Sequence, residues 1–96
     1  MPTDTQSAAR VLALIPAYNE AERVGAVVTA TRAYLPVLVV DDGSTDGTRQ
    51  ILEALDGKGN VRVLFQDVNQ GKGAAVRRGI QEAQGDVVII QDADLE

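Results

Sequence analysis

The stretch GDVVIIQDADLE, residues 85–96, decides the predicted fold. Its apolar part, residues 87–90, is short, β-branched and uninterrupted by polar residues, which is typical of a strand buried on both faces of a parallel sheet. Asp92 and Asp94 follow at the carboxyl end of that strand, where open α/β sheets bind ligands. Two carboxylates so close repel each other unless a cation such as Mg²⁺ or Mn²⁺ lies between them. A polar loop after a core strand is the alternative interpretation.

The composition indicates one small folded unit with an aliphatic core. The chain has 96 residues, of which 45% are apolar, and only three aromatic side chains. Its formal net charge of -5 argues against a nucleic-acid groove, which would be basic. The lack of cysteine and histidine excludes disulfides, thiol catalysis, imidazole bases and ordinary zinc sites. It also fits a cytoplasmic location.

Strand-like runs alternate with helical patterns along the chain, in the order β-α-β-α-β-α-β. The strands are predicted at residues 11–15, 37–40, 61–65 and 87–90. Pro16 is expected to end the first strand. Helices between strands predict right-handed crossovers and a parallel sheet covered on both sides. Residues 1–9 are predicted to be a disordered tail, and residues 10–96 to form the α/β unit.

The helical patterns carry predicted caps and buried faces. Asn19, with Glu22 three residues later, is expected to cap the first helix, and Asp46 to cap the second. The third helix is predicted from about residue 72 to residue 84, with Gly79 marking a close approach of that helix to the sheet. The inward-facing side chains are expected to be Ala21, Val24, Val28, Thr31, Ile51, Ala54, Leu55, Val76, Ile80 and Ala83.

Eight of the fourteen acidic residues fall in the loops that follow the predicted strands. Because the carboxyl ends of parallel strands share one sheet edge, these loops are expected to meet there. Such a concentration of charge favours a cation site over a direct anion cradle, although Lys72 could meet a phosphate beside the third helix. The alternatives are that Asp41 and Asp42 only begin a turn and that Tyr18 only packs. The eight acids are Glu20, Asp41, Asp42, Asp46, Asp67, Asp92, Asp94 and Glu96.

Four motifs resemble a known family in their order and spacing. They are IPAYNE at 15–20, VVDDGSTDGT at 39–48, NQGKGAAVRRG at 69–79 and DADLE at 92–96. Together they resemble family-2 inverting glycosyltransferases, and most closely dolichol-phosphate mannose synthases and related polyprenyl-phosphate sugar transferases. The resemblance implies the Rossmann-like nucleotide-sugar half of a GT-A fold, with strand order 3-2-1-4 and the nucleotide beside the first strand. It also implies that the chain is the amino-terminal donor part of a longer domain, truncated after the fourth strand.

The resemblance assigns roles to particular residues, position by position. Pro16, Tyr18 and Glu20 match positions around the nucleoside, and Val40 and Asp42 match positions that hold the base. A second set matches the metal-binding Asp-x-Asp and its surroundings, and comprises Asp92, Ala93, Asp94 and Glu96.

The implied reaction is transfer of a sugar, with inversion, from a GDP- or UDP-sugar to an acceptor such as a polyprenyl phosphate. A metal ion would stabilise the charge of the leaving nucleoside diphosphate. Any catalytic base and the acceptor pocket are expected beyond Glu96, so this chain alone is expected not to transfer sugar. The parent protein is expected in the cytoplasm, in contact with the cytoplasmic face of a membrane.

Three other classes of protein remain alternatives. A receiver-like phosphoacceptor domain also gathers acids at a sheet edge, but after its first and third strands. A haloacid-dehalogenase-type phosphatase carries its Asp-x-Asp after the first strand. A non-catalytic nucleotide-binding or assembly module would bind a nucleotide without metal dependence. If the fourth strand lies at an edge, its unpaired backbone predicts self-association.

Overall fold

The computed structural model describes residues 10–83 and 87–93. Within these ranges the strands are β1 (Val11–Ala17), β2 (Val37–Asp42), β3 (Val61–Gln66) and β4 (Val87–Ile90). The helices between them are α1 (Val24–Arg32), α2 (Thr48–Leu55) and α3 (Lys72–Ala83). The strands form one sheet in the order β3-β2-β1-β4, and each neighbouring pair is parallel. The predicted fold class and strand order are therefore confirmed. The predicted tail, residues 1–9, lies outside the described residues.

The alternation of side chains along the strands divides the core into two layers. Odd-numbered residues of β1 and β2, such as Ile15 and Val39, pack with Val24 and Val28 of α1 and Leu52 of α2. Even-numbered residues of the same strands face α3 and form a second cluster with two alanines of that helix. The cluster comprises Leu12, Leu14, Leu38 and Val40 of the strands and Ala75 and Ala83 of α3. Helices thus cover both faces of the sheet, as predicted.

Three strands run further than predicted, namely β1, β2 and, by one residue, β3. Pro16 does not end β1, which continues to Ala17 with Pro16 in register with Val40. Even-numbered residues of β1 direct their backbone N–H and C=O groups toward β4. The hydrogen bond from Gln91 N–H to the Leu14 carbonyl shows this direction. The pairing with β4 ends at Leu14, so the missing N–H of Pro16 removes no ladder bond.

The second strand contains both acids that, in the alternative interpretation, only begin a turn. Asp41 and Asp42 pair with Phe65 and Gln66 of β3, and both acids are buried. The turn interpretation is therefore wrong, and the carboxylate of Asp42 points toward the α3 face.

The fourth strand is not buried on both faces, contrary to the prediction. Within the described sheet β4 pairs only with β1, and Val87, Ile89 and Ile90 are each about half exposed. Only Val88 packs against the core beneath α3. The apolar run therefore forms an edge strand, because nothing in the described residues covers its second side.

Helices α1 and α2 differ from prediction in their first residues, and α2 and α3 in their buried faces, whereas α3 begins at Lys72 as predicted. Asn19 does not cap α1, which begins at Val24 without a side-chain cap. Gly47, and not Asp46, occupies the cap position of α2. In place of Ala54, α2 buries Thr48 and Leu52. The buried residues of α3 are Ala75, Gly79 and Ala83, whereas Ile80 is exposed. Over the described residues, no helix has the length and apolarity to cross a membrane.

The buried face of α3 is made of small residues because the helix lies close to the sheet. A Cβ atom placed on Gly79 would lie 2.3 Å from Cδ1 of Leu14 and 3.0 Å from its Cγ. Leu14 is fully buried in β1, so its side chain has no room to turn away. The close approach predicted from Gly79 is confirmed.

Replacing Gly79 with alanine is expected to lower the free energy of unfolding by about 1 to 3 kcal/mol, because the new methyl group overpacks this contact. Gly73→Ala in the same helix is the matched control, since its Cβ would meet only Arg77 Nη1 at 3.5 Å. The control should be neutral or slightly stabilising. Urea unfolding measures both variants, and equal midpoints would contradict the expectation.

Candidate functional site

A cleft of about 310 Å³ lies at the carboxyl ends of β1 and β4. This is the point where the strand order reverses, which is where open α/β sheets bind ligands. The structure brings together seven of the residues predicted from the sequence: Pro16, Tyr18, Glu20, Asp42, Lys72, Asp92 and Ala93. The cleft thus combines an exposed aromatic ring, acids and a lysine on one rim.

Of the other three predicted residues, the structure describes one, Val40. The side chain of Val40 is fully buried in the cluster beneath α3, so it is not accessible to a ligand. Asp94 and Glu96, two of the predicted metal ligands, lie outside the described residues. Among the described residues, no group of three acidic, histidine or cysteine side chains is arranged to hold a metal ion. Asp92 is thus the predicted metal ligand that can be placed.

The carboxylate of Asp42 anchors the loop between β3 and α3, residues 67–71, which we call the anchored loop. Its Oδ1 accepts hydrogen bonds from Gln66 Nε2 and Gln70 N–H, each at 2.8 Å. Its Oδ2 accepts from Asn69 Nδ2 and Gly71 N–H, each at 2.9 Å. Asp42 is 2% exposed, so these four donors take the place of water around a buried charge.

The four bonds bear on the predicted role of Asp42 in holding a base. A carboxylate offers about four lone-pair sites, and the protein already uses that number here. A ring N–H of a nucleotide would therefore have to compete with the anchored loop. The assignment of Asp42 to base recognition stays a prediction, and its observed role is to organise the loop.

The docking of the anchored loop also explains Gly43. This glycine has φ +76°, and a Cβ there would lie 2.4 Å from the backbone of Val68 and Asn69. Any side chain at this position would push the anchored loop off the end of β2. The DG dipeptide of the sequence thus serves two purposes, since Asp42 binds the loop and Gly43 makes room for it.

The anchored loop ends at Gly71, and Lys72 is the first residue of α3. The Nζ atom of Lys72 lies 2.5 Å from Oδ1 of Asp92, and both residues line the cleft. Both side chains are about half exposed to solvent, so this ion pair is accessible from the cleft. Lys72 therefore contacts a carboxylate here, and the predicted contact with a phosphate stays a prediction.

A second hydrogen-bond network joins the loop after β1, which we call the first loop, to the loop after β2 and the start of α2. We call this network the loop clasp, and its members are Asn19, Ser44, Thr45, Asp46 and Thr48. Three successive backbone amides of the first loop donate to side chains on the other side of the network. These bonds run from Asn19 N–H to Ser44 Oγ, from Glu20 N–H to Thr48 Oγ1 and from Ala21 N–H to Asp46 Oδ2, at 2.9, 2.9 and 3.3 Å. In the opposite direction Thr45 N–H donates to Asn19 Oδ1 at 2.8 Å.

Asp46 orients the centre of the loop clasp. Its Oδ1 accepts from the hydroxyl and the backbone N–H of Thr48, at 2.5 and 3.0 Å. The hydrogen bond from the Thr48 hydroxyl is the main reason that the pKa of Asp46 is lowered, with smaller contributions from the backbone amides of Thr48 and Ala21. Asp46 therefore acts as an acceptor one residue before the cap position of α2.

The comparisons with known proteins agree on one family. The sequence profile described as Glycosyl transferase family 2 matches residues 13–96. The chain belongs to glycosyl transferase family 2. This membership excludes the receiver-like and phosphatase-like interpretations of the sequence. It confirms the family resemblance that the four motifs carry.

The chain is 36% identical to dolichyl-phosphate beta-glucosyltransferase ALG5C of Trichomonas vaginalis, and the match covers 84% of this chain and 28% of the relative. It is also 36% identical to dolichol-phosphate mannosyltransferase of Pyrococcus furiosus, covering 91% of this chain and 26% of that protein. A third relative is undecaprenyl-phosphate 4-deoxy-4-formamido-L-arabinose transferase of Pseudomonas fluorescens, with 37% identity over 86% of this chain and 27% of the relative. The chain thus spans less than a third of the length of each relative.

Solved structures of similar proteins share the fold. The mannosyltransferase PcManGT of Pyrobaculum calidifontis, in complex with GDP-Man and Mn²⁺, has a TM-score of 0.73 and 30% identity, covering 88% of this chain and 27% of that one. Glucosyl-3-phosphoglycerate synthase of Mycobacterium tuberculosis, in complex with Mn²⁺, UDP and glucosyl-3-phosphoglycerate, has a TM-score of 0.74 and 25% identity. That match covers 92% of this chain and 34% of the synthase.

Two groups of site residues were not identified from the sequence. Ala17, Asn69 and Ala75 line the cleft without having been assigned a role. Asn69 could have been found, because it is a polar residue in a loop at the ligand-binding edge of the sheet. The loop clasp was missed because its members face each other across a separation of 25 to 28 residues, and no spacing within one motif reveals such pairs.

Asp42→Asn is expected to lower the free energy of unfolding by about 3 kcal/mol, because an amide nitrogen would face donors that now bind a buried carboxylate. The amide hydrogens of Gln70 and Gly71 should exchange faster with solvent, since their acceptor is weakened. Asp67→Asn is the control, because that side chain is 96% exposed. Unchanged exchange at Gln70 and Gly71 in Asp42→Asn would show that the anchor is dispensable.

Acid is expected to weaken the loop clasp through Asp46. Because the folded chain lowers the pKa of Asp46 below 3.8, the carboxylate stabilises the fold above that value, and the contribution disappears as pH falls through the lowered pKa. Urea unfolding from about pH 6 to about pH 2.5 should show the wild type and Asp46→Asn converging toward low pH. A difference between them that stays constant with pH would contradict this.

Proposed function

We propose that the protein carrying this chain transfers a sugar, with inversion, from a nucleotide-diphosphate sugar to a polyprenyl phosphate. The observation that carries the proposal is the cleft at the switch point, which is lined both by Tyr18 and Glu20 and by the Lys72–Asp92 pair. An aromatic ring beside an acid suits a nucleoside, and a lysine at the start of a helix suits a phosphate. The cleft thus offers groups suited to the nucleoside end and to the phosphate end of a nucleoside diphosphate.

The chemistry of each end follows from the side chains. Tyr18 is about half exposed and can lie against a base or ribose, with Pro16 and Glu20 beside it. At the other end, Lys72 would neutralise part of the diphosphate charge, and the buried Ala93 leaves room beside Asp92. The anchored loop fixes the backbone directly before Lys72, so little ordering is needed when the diphosphate binds.

A divalent cation, Mg²⁺ or Mn²⁺, fits the residues at this end. Asp92 offers a carboxylate that is partly exposed to the cleft, and carboxylate oxygens are the ligands that both ions prefer. A cation held by Asp92, together with Asp94 and Glu96, would stabilise negative charge on the leaving diphosphate. Lys72 already supplies one positive charge to Asp92, and this contact supports the proposal of a cation at that carboxylate.

The acceptor and the donor are assigned from the relatives. Dolichyl-phosphate, dolichol-phosphate and undecaprenyl-phosphate appear in the names of three relatives that are 36 to 37% identical. GDP-Man and UDP appear in the solved neighbours. We therefore propose a GDP- or UDP-sugar as donor and a polyprenyl phosphate as acceptor. Action at the cytoplasmic face of a membrane, and self-association through β4, stay predictions.

Calorimetric titration of GDP and UDP in the presence of Mn²⁺ tests this proposal. At least one nucleotide should bind, and both Asp92→Ala and Asp94→Ala should weaken metal-dependent binding by about tenfold or more, since even outer-shell losses cost about 10- to 100-fold in metal affinity. Glu53→Ala is the control, because it removes the same charge from an exposed position on α2. Nucleotide binding that is independent of metal and unchanged by Asp92→Ala would instead favour a non-catalytic nucleotide-binding module.

A further inference from the structure

The loop that carries Tyr18 and Glu20 is held by residues that do not themselves line the cleft. Asn19, Ser44, Thr45, Asp46 and Thr48 form the loop clasp, and none of them is among the residues that line the cleft. They lie behind the first loop, on the side of α2. Any effect of these residues on a ligand must therefore pass through the position of the first loop.

Thr48 is the central member of the loop clasp, because its hydroxyl can adopt only one useful arrangement. Its single hydrogen is donated to Asp46 Oδ1, which leaves the oxygen lone pairs to accept from Glu20 N–H. Thr48 is fully buried at the first position of α2, so water does not compete for these hydrogen bonds of its hydroxyl. The orientation of one hydroxyl thus fixes the peptide between Asn19 and Glu20.

The backbone of Asn19 shows how closely the first loop is constrained. Asn19 is the non-glycine residue with a positive φ in the described part of the chain, at 52°. Asparagine tolerates this conformation better than most residues, and its Oδ1 accepts from Thr45 N–H at the same time. Asn19 and the two residues after it, Glu20 and Ala21, are therefore held by hydrogen bonds, and Tyr18 directly precedes them.

We propose that Thr48 is a positioning residue for the nucleoside end of the cleft, acting through the loop clasp on Tyr18 and Glu20. This inference rests on the proposed binding of a nucleoside diphosphate. It assigns the two ends of the ligand to separate parts of the protein, because the loop clasp holds the residues at the nucleoside end whereas the anchored loop holds Lys72 at the phosphate end. The two ends should then respond separately to substitution.

The test compares Thr48→Val, which keeps the shape but removes the hydroxyl, with Thr48→Ser, which keeps the hydroxyl. In the presence of Mn²⁺, Thr48→Val should weaken binding of the nucleotide by about tenfold, and Thr48→Ser by less than about twofold. Binding of pyrophosphate with Mn²⁺, which lacks a nucleoside, should be the same in both variants and in the wild type. A general loss of structure would weaken both ligands together.

A second pair of variants covers the case in which Thr48→Val does not fold. Asn19→Gly tolerates the positive φ but removes the acceptor for Thr45 N–H, whereas Asn19→Asp keeps that acceptor. Asn19→Gly should weaken nucleotide binding and Asn19→Asp should preserve it. Equal nucleotide affinity in the wild type, Thr48→Val and Asn19→Gly would overturn the positioning role. Failure of the wild type to bind any nucleotide would instead refute the proposed function itself.

Discussion

The buried carboxylate of Asp42 is the constraint on which the ligand-binding edge of this fold depends. A charge that is 2% exposed at the end of a central strand is tolerated only if donors replace its water. The donors come from Gln66 and from the anchored loop, so satisfying this one charge holds four residues in place: Gln66, Asn69, Gln70 and Gly71. The position of Lys72 then follows, because α3 begins where the anchored loop ends.

The same edge carries a second buried acid on its other face, Asp41, whose Oδ2 accepts a long hydrogen bond from Ser44 N–H at 3.4 Å. The loop clasp uses neutral side chains and one exposed acid, and it binds the loop after β1 to the loop after β2. Because strand residues alternate between the two faces, Asp42 reaches the α3 face, whereas the loop clasp lies on the side of α2. The two walls of the cleft therefore rest on opposite faces of the sheet, and each has its own hydrogen bonds.

Much of this arrangement could be predicted from the sequence, because strand order and the edge that gathers the loops follow from alternating apolar runs. Pro16 was misjudged because its effect depends on which neighbour its backbone faces, and that is set by the end of β4. The exposure of Val87, Ile89 and Ile90 depends on what pairs with β4, which an apolar run does not reveal. The inward face of α3 was misassigned because Leu14 approaches so closely that Gly79 and the neighbouring alanines pack there instead of Ile80.

The ion pair between Lys72 and Asp92 links these observations to the chemistry of the cleft. An exposed ion pair contributes little to stability, about 0 to 1 kcal/mol, so its formation does not explain why both residues occupy the cleft. Under the proposed function, its low strength would suit exchange, since a dication would replace the lysine at the carboxylate and a diphosphate would replace the carboxylate at the lysine. Both replacements together would keep every charge paired. The proposed function therefore implies that a metal ion and a diphosphate bind together in preference to either one alone.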